Sequence, residues 1–281
     1  VNNNNFFIYD AVEVPHEGRN DSSFLFKNNF LKRIRDFEEK CENKIIGNSD
    51  LILTVSDGLS KYLSKRYKPK RIVTLKNYKE YSKFEISKIN IRSKLNIPKN
   101  DVLILYLNSI KEDEGIDKII DILKFLPMNY KLSCLGPIIE KDYFFKLKQK
   151  VKNLNLEKRC FFPRMVPNQL LVNFISSADI GIIPRINSYL NHEFSLPNRL
   201  FEFIAARIPI ASNNLPDLSN FILKRKIGLI FDISNQKNII STILRLNTEK
   251  KKFKKNINQH FMKNDWHIEY MKLKKIISKI A

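Results

Sequence analysis

Residues 195–212 carry the most informative pattern of the chain, Ser195-Leu-Pro-Asn-Arg-Leu-Phe-Glu-Phe-Ile-Ala-Ala-Arg-Ile-Pro-Ile-Ala-Ser212. Ser195 is a favourable N-cap residue and Pro197 is well tolerated in a first helical turn, so the pattern predicts a helix over Leu196–Ala206. A strand is expected directly after it, at Pro209–Ser212. The start of such a helix offers free N–H groups and partial positive charge, which favour an anion.

One face of this predicted helix combines a cation with a carboxylate. Ser195, Asn198, Arg199 and Glu202 share it, at spacings of three and four residues. Arginine can donate two hydrogen bonds to a phosphate, and a carboxylate can accept from two neighbouring hydroxyls. A nucleoside diphosphate presents both groups, the phosphate and the ribose diol. On spacing alone, the alternative is an exposed Arg–Glu pair that contributes only a few tenths of a kcal/mol.

The helix belongs to a longer series in which six short apolar strands alternate with amphipathic helices. This alternation predicts a doubly wound parallel sheet. The predicted strands are Val102–Leu107, Lys131–Leu135, Arg159–Phe162, Asp179–Ile183, Pro209–Ser212 and Gly228–Phe231. A shorter strand–helix series before it predicts another parallel sheet, with strands at Phe6–Tyr9, Leu51–Val55 and Arg71–Leu75.

These series divide the chain into four segments. We expect a first Rossmann-like domain over residues 1–77, a polar linker over 78–100 and a second Rossmann-like domain over 101–248. Residues 249–281 are expected to form basic helices that pack back toward the first domain. Their predicted apolar anchors are Trp266, Ile268, Met271 and Leu273.

Composition narrows the class of protein. The chain has 281 residues, of which 43% are hydrophobic, too many for a disordered chain. No apolar run approaches the ~20 residues of a membrane helix, and no leader pattern opens the sequence, so we expect a soluble, cytoplasmic protein. Three cysteines and four histidines show no ligand spacing, which predicts neither a metal site nor a disulfide framework. Neither glycine-rich phosphate motif, that of dehydrogenases or that of P-loop proteins, is present.

The net charge of +21 indicates an anionic partner or a compositional bias. Residues 220–281 hold 15 Lys and Arg against four Asp and Glu, so over half of the net charge lies there. An anionic membrane surface, nucleic acid and a Lys-, Asn- and Ile-rich composition are the alternatives. No nucleic-acid-binding motif is present, so nucleic acid is not expected as a partner.

The stretch from Ser195 resembles the donor-site signature of glycosyltransferase family 4 in its Pro-Asn-Lys/Arg-x-x-Glu form. Other segments resemble the family in the same order along the chain. They are Tyr9–Glu13, Asn48–Ser56, Lys76-Asn77, Leu105–Ser109 with Gly115-Ile116, Ser177–Pro184 and the late Trp266. The resemblance therefore covers nearly the whole chain.

The resemblance implies an α/β fold of the GT-B type, in which two Rossmann-like domains face each other across a cleft. It implies that Glu202 holds the ribose hydroxyls and Arg199 the diphosphate. Asn108 and Ser109 would approach the phosphates by their backbone, with Lys111 as the nearest loop cation. Glu193 and Asn191 would lie near the transferred sugar, and Pro184 and Arg164 near the base. Family members usually retain anomeric configuration and need no metal; no cofactor is expected, and the donor is a UDP- or GDP-linked sugar.

Four positions depart from the family pattern. Glu193 and Glu202 are nine positions apart, where many members place two glutamates eight apart. Glu114 replaces a loop cation and would repel a diphosphate unless it points away. Arg207 replaces a glycine, which is awkward if a left-handed turn is required. Val12 stands where a histidine is often found.

The first domain is also short, because only about half of an ordinary domain of ~150 residues precedes the linker. We therefore expect this domain to be incomplete, in a fragment or in a reduced protein. The expected function is transfer of a sugar from a nucleotide sugar to a glycan or lipid-linked acceptor in cell-surface polysaccharide or glycolipid synthesis. Catalytic roles are expected for Arg199, Glu202 and Glu193, and the inner face of the cell membrane is an expected peripheral site. The alternative is a non-catalytic protein that binds nucleotide sugars.

Overall fold

A computed structural model of the chain describes residues 6–14, 29–80, 90–186 and 190–279. The first sheet has three parallel strands in the order β1-β2-β3. They are β1 (Ile8–Ala11), β2 (Leu51–Thr54) and β3 (Ile72–Thr74). Two helices accompany it, α1 (Asn29–Asn48) and α2 (Asp57–Tyr67). Ser56 caps α2, and its hydroxyl accepts a hydrogen bond from the Leu59 N–H at 3.1 Å.

The second sheet has six parallel strands in the order β6-β5-β4-β7-β8-β9. They are β4 (Val102–Leu107), β5 (Tyr130–Leu135), β6 (Cys160–Phe161), β7 (Ile180–Ile183), β8 (Ile210–Asn213) and β9 (Gly228–Phe231). This is the strand order of a dinucleotide-binding fold, which reverses direction between β4 and β7. The predicted doubly wound sheet is therefore confirmed.

Helices cover both faces of the second sheet, and this explains why its strands are mostly apolar. They are α4 (Ile116–Leu123), α5 (Lys141–Asn153), α6 (Asn168–Ile175), α7 (Leu190–Glu193), α8 (Asn198–Ala205), α9 (Pro216–Arg225) and α10 (Gln236–Thr248). In β4, Leu103 and Leu105 pack into one hydrophobic cluster while Ile104 and Tyr106 pack into another. Because each face is buried, neither polar nor charged residues interrupt β4.

The segment between the two sheets contains a short helix, α3 (Ile91–Lys94), which the sequence analysis assigned to a linker. Asn90 and Ser93 form a capping box at its start. Arg92 anchors it to the second sheet by hydrogen bonds to the Ser177 and Asp101 carbonyls and an ion pair with Asp179. The rest of the predicted linker includes residues 81–89, which lie outside the described residues.

Two helices end the described chain, α11 (Lys250–Phe261) and α12 (Trp266–Ile277). α12 contacts the end of the first sheet and the residues that follow it. The ammonium of Lys272 donates to the Thr74 carbonyl at 2.7 Å, and the Glu269 carboxylate accepts from the Lys76 N–H at 3.2 Å. None of the helices within the described ranges is both long and apolar enough to cross a membrane.

The predicted apolar anchors of this tail are wrong in three of four cases. Trp266, Ile268 and Met271 have 38%, 47% and 47% of their surface exposed, whereas Leu273 is half-buried. The residue of α12 that is buried is Glu269, which satisfies a backbone N–H of the neighbouring segment. A polar anchor of this kind has no signature in hydrophobic periodicity.

Candidate functional site

A cavity of about 600 Å³ lies at the carboxyl ends of β4 and β7, where the strand order of the second sheet reverses. Open parallel sheets bind ligands at this place because the loops on either side diverge and leave a crevice. The opposite wall comes from the first sheet and its helix α2, through Val12, Glu13, Val14, Val55 and Leu59. The cavity therefore lies between the two sheets.

Eight residues that the sequence analysis singled out line this cavity. They are Asn108, Ser109, Lys111, Asn191, Ser195, Asn198, Arg199 and Glu202. They come from three separate segments, the loop after β4, the residues of α7, and the start of α8. The fold brings together residues that are up to 94 positions apart in the sequence.

Three predicted site residues do not line the cavity. Pro184 is buried, and its carbonyl lies only 2.3 Å from where a side chain on Gly115 would begin. Arg164 is exposed, while the next residue, Met165, forms part of the wall. Glu193 is half-buried outside the wall, although the residues on either side of it, His192 and Phe194, line it.

The predicted start of helix α8 is also wrong. The helix begins at Asn198, and its N-cap is Pro197, which provides no side-chain hydrogen bond. Ser195 lies two residues too early to cap it, and its buried hydroxyl has no hydrogen-bond partner among the described residues. Pro197 has extended backbone angles (φ −68°, ψ 148°), so proline ends the preceding segment instead of starting the helix.

Arg199 forms one side of a buried ion triad. Its Nη2 donates to Glu114 Oε2 at 2.6 Å, and its side chain is only 3% exposed. Arg185 donates to the other oxygen of Glu114 from Nε at 3.1 Å and from Nη2 at 2.8 Å. Glu114 thus points away from the cavity space and into two guanidinium groups, which removes the repulsion expected from its sequence position.

The two arginines keep Glu114 ionised. Burial by itself raises the pKa of this carboxyl, but the charges of Arg199 and Arg185 outweigh that effect and lower the pKa to about 2. The Tyr106 hydroxyl donates a hydrogen bond to the Ser109 carbonyl at 2.7 Å. Burial raises the pKa of Tyr106, so the phenol remains a proton donor at neutral pH.

Glu202 lies in the cavity wall with its side chain 13% exposed. Lys79, from the segment after β3, forms an ion pair with it at 3.2 Å between Nζ and Oε1. The neighbouring Asn198 accepts a hydrogen bond from the side-chain amide of Asn77. The segment after the first sheet therefore reaches the start of α8.

The loop after β4 approaches the loop after β5 very closely. A side chain on Gly136 would begin 1.7 Å from the Asn108 carbonyl oxygen, so only glycine fits there. The Asn108 N–H donates to the Leu135 carbonyl at 3.1 Å. The Ser109 N–H has no acceptor within the part of the chain that the structure describes. One backbone donor at the carboxyl end of β4 thus has no acceptor among the described residues.

Asn191 connects the two walls of the cavity. Its Oδ1 accepts from the Val14 N–H at 2.6 Å, and its Nδ2 donates to Glu13 at 3.5 Å. His192 contacts the Ile186 carbonyl through Nδ1 at 2.9 Å. Burial and the positive charge of Arg185 lower the pKa of His192, which favours the neutral ring in this wall.

The wall and near-wall residues that were not predicted from the sequence include Glu13, Lys79, Met165 and Arg185. Arg185 had a usable signal, because it is the second residue after a predicted strand at the switch point of the sheet. Lys79 had none, since only the three-dimensional path of the segment after β3 brings it to Glu202. Within residues 6–14, 29–80, 90–186 and 190–279, no three His, Cys, Asp or Glu residues are grouped so that they could hold a metal ion.

Comparison with known proteins identifies the fold and the family. HepE from Anabaena, solved in complex with UDP, has a TM-score of 0.76 and 13% identity, covering 98% of this chain and 72% of its own. WaaG, a glycosyltransferase involved in lipopolysaccharide biosynthesis, has a TM-score of 0.72 and 17% identity, covering 96% and 74%. Sucrose-phosphate synthase from Thermosynechococcus elongatus has a TM-score of 0.69 and 16% identity, covering 87% and 62%.

These neighbours confirm the predicted GT-B fold of two Rossmann-like units. The chain spans about 62% of the length of the sucrose-phosphate synthase. None of the curated proteins matches the sequence. The family model described as glycosyl transferases group 1 matches residues 87–261, more than half of the chain and the whole second sheet with its switch-point loops. The chain therefore belongs to the glycosyl transferases group 1 family.

Proposed function

We propose that the chain binds a nucleotide-sugar donor in the switch-point cavity and transfers its sugar to a glycan or lipid-linked acceptor, with retention of configuration. The observation that carries this proposal is the convergence of Glu202, Arg199 and the free Ser109 N–H on one cavity. HepE, solved in complex with UDP, and a structure described as trehalose-6-phosphate from E. coli bound with UDP-2-fluoro glucose support the choice of donor class. UDP- and GDP-linked sugars are the candidates.

Glu202 would accept hydrogen bonds from the two ribose hydroxyls. Its second oxygen is available for this role because the ion pair with Lys79 is made by Oε1. A carboxylate accepts stronger hydrogen bonds from hydroxyls than a neutral acceptor does. Ribose binding therefore does not require the Lys79 pair to break.

The diphosphate would lie toward the loop after β4 and the start of α8. The Ser109 N–H, Lys111 and Arg199 would stabilise the negative charge that develops on the leaving nucleotide. This arrangement uses protein cations and a backbone donor, so we expect transfer to proceed without a metal ion or cofactor. The transferred sugar would face Glu13 and Asn191, and catalytic assistance from Glu193 would require it to turn inward.

A non-catalytic nucleotide-sugar-binding protein is the second candidate. Two observations favour it: Glu193 lies outside the wall, and among the described residues of the first-sheet side Glu13 is the only carboxylate that lines the cavity. In this case the donor would bind but not react. Hydrolysis of a bound donor, or transfer to an added acceptor, separates a catalyst from a passive binding protein.

The decisive experiment measures binding of UDP, GDP and ADP by calorimetry to the wild type and to Glu202→Ala. We expect one nucleotide to bind and the substitution to weaken binding by ~1.5–3 kcal/mol, the loss of charge-assisted hydrogen bonds to the ribose. Glu157→Ala removes an exposed carboxylate outside the cavity and serves as the matched control. Unchanged affinity in Glu202→Ala would refute the ribose assignment, and no binding by a folded wild type would refute the donor site.

We also propose peripheral attachment to an anionic membrane. α12 supports this, because Trp266, Ile268, Tyr270 and Met271 are exposed on the same helix as Lys274 and Lys275. Apolar side chains that enter the headgroup region, together with lysines that face anionic lipids, are typical of interfacial helices. A lipid-linked acceptor would then lie in the same membrane to which the protein is attached.

A further inference from the structure

Arg185 lies at the centre of the switch point. It is the second residue after β7, and β7 pairs in parallel with β4, with Tyr106 opposite Ile182. The carboxyl ends of these two strands therefore open on the same side, into the crevice where parallel sheets bind ligands. Arg185 lines the cavity, and its side chain is 17% exposed, compared with 3% for Arg199. Of the two arginines of the triad, Arg185 is the more accessible to a ligand.

The guanidinium of Arg185 is fixed before any ligand arrives. Nε and Nη2 both donate to Glu114 Oε1, and Glu114 is only 1% exposed. No residue in the described part of the chain accepts a hydrogen bond from Nη1. A side chain held in this way loses little additional rotamer freedom when it binds an anion, so less of the binding energy is lost to ordering.

The triad has excess positive charge and N–H donors that lack acceptors. Two guanidinium groups face a single carboxylate, which leaves a net charge of about +1 at the cavity wall. Nε and Nη1 of Arg199 are buried without a hydrogen-bond partner. A buried donor that lacks an acceptor is destabilising, and the positive potential of these unpaired N–H groups favours an anion in the adjoining cavity. Lys111 adds a further cation to the same wall.

We propose that Arg185 contacts the diphosphate of the donor. The proposal rests on the proposed function, since it specifies which residue of that cavity recognises the phosphates. It also accounts for Glu114, which occupies the position of an expected loop cation. The Glu114 carboxylate binds Arg185, which lies 71 positions later in the sequence. Arg185 then provides the positive charge that the loop lacks. Arg185 is thus a binding residue, and Glu114 holds it.

The test compares each nucleoside diphosphate with its own nucleoside. Affinities of UDP, GDP and ADP and of uridine, guanosine and adenosine are measured by calorimetry on the wild type, Arg185→Gln and Arg185→Lys. Arg71→Gln is the matched control, because it removes the same charge from an exposed position outside the cavity wall. Thermal unfolding of each protein shows whether it is folded.

We expect Arg185→Gln to weaken binding of the nucleoside diphosphate by about tenfold or more. The affinity for the nucleoside should stay within about twofold of the wild type, because only a charge-assisted contact to phosphate is lost. Arg185→Lys keeps the charge without the fork and should lose less, which also keeps the test valid if Arg185→Gln does not fold. Arg71→Gln should change neither affinity.

Three outcomes would overturn the inference. Full diphosphate affinity in Arg185→Gln would overturn it while the proposed function stands. Equal losses for diphosphate and nucleoside would show that the substitution alters the cavity instead of a phosphate contact. Failure of the folded wild type to bind any of the three nucleotides would overturn the proposed function and this inference together.

Discussion

Arg207 adopts a left-handed backbone conformation, with φ of 59°, between α8 and β8. The Ile208 N–H donates to the Phe203 carbonyl at 2.9 Å, so this conformation closes the end of the helix. A side chain in this region costs ~1 kcal/mol or more relative to glycine. The guanidinium of Arg207 lies 4.8 Å from the ring centroid of Phe261, a cation–π contact that offsets part of this cost.

Two substitutions separate these opposing effects. Arg207→Ala keeps the backbone strain and loses the contact with Phe261, whereas Arg207→Gly loses the contact and removes the strain. We expect the Gly variant to be more stable than the Ala variant by ~1 kcal/mol in the free energy of unfolding. Denaturant titration measures the difference, and equal stability of the two variants would contradict the left-handed assignment.

Glu114 illustrates what a sequence leaves hidden at this scale. In the sequence, Glu114 stands beside Gly115 and suggests repulsion of a phosphate, because the nearest cation is Lys111. Its partners Arg185 and Arg199 lie 71 and 85 positions later, and only the closure of the parallel sheet brings them to it. Spacing can predict Arg199 and Glu202, which share a helix face, but not ion pairs between different segments.

At the scale of elements, the strands were more predictable than the helix ends. Each strand of the second sheet falls within one residue of its predicted bounds, because a strand buried on both faces is a continuous apolar run. α8 starts two residues later than predicted. Ser195 and Pro197 are residue types typical of a helix start, but neither forms a capping hydrogen bond here. Cap residues also occur in extended segments, where their side chains serve other purposes.

α12 provides a test of membrane attachment. Lys274→Gln combined with Lys275→Gln should reduce binding to vesicles of phosphatidylserine and phosphatidylcholine about tenfold or more, because each lysine near such a surface contributes ~1 kcal/mol. Sedimentation with vesicles of known composition measures the bound fraction. The paired change Lys152→Gln and Lys158→Gln removes two exposed lysines elsewhere and is the control. Equal binding to phosphatidylcholine alone, or equal losses in both pairs, would argue against a role of α12.

At the scale of the whole molecule, polar contacts join the first sheet and its following segment to the rest of the chain. Asp217 of α9 accepts a hydrogen bond from the Gly58 N–H at 2.8 Å. Tyr78 packs edge-on against Phe201, and its hydroxyl contacts His260 Nε2 at 3.0 Å. Contacts of this kind cannot be predicted from hydrophobic periodicity, which reports the interior of each sheet and says nothing about how two sheets meet.

His260 makes part of this connection dependent on pH. Burial, together with the charges of Arg225 and Lys76, lowers its pKa from 6.5 to about 4. With Nδ1 next to the Asn264 amide at 3.2 Å, we assign the neutral ring as an acceptor there and as a donor to Tyr78 from Nε2. Burial raises the pKa of Tyr78 to about 12, so the phenol stays protonated over the pH range in which His260 titrates.

We therefore expect the free energy of unfolding to fall as the pH drops from about 6.5 to about 4. In this range the unfolded chain protonates His260 and the folded protein does not, so acid favours unfolding. Allowing for partial exposure, the loss is ~2 kcal/mol. His260→Gln should flatten the slope between pH 5 and 7.5, above the range where Glu114 contributes, whereas the exposed His267→Gln should retain it. Identical slopes in all three proteins would contradict this assignment.

The hydrogen bond between Lys76 and Glu269 spans 193 positions of the chain. A ribosome that adds ~5–20 residues per second delivers the second partner some 10–40 s after the first. During that interval every strand of the six-stranded sheet leaves the ribosome, because its last strand ends at Phe231. The order of synthesis thus allows the donor half to fold first, and the α12 contact with the first sheet is made only after all six strands of that half have been synthesised.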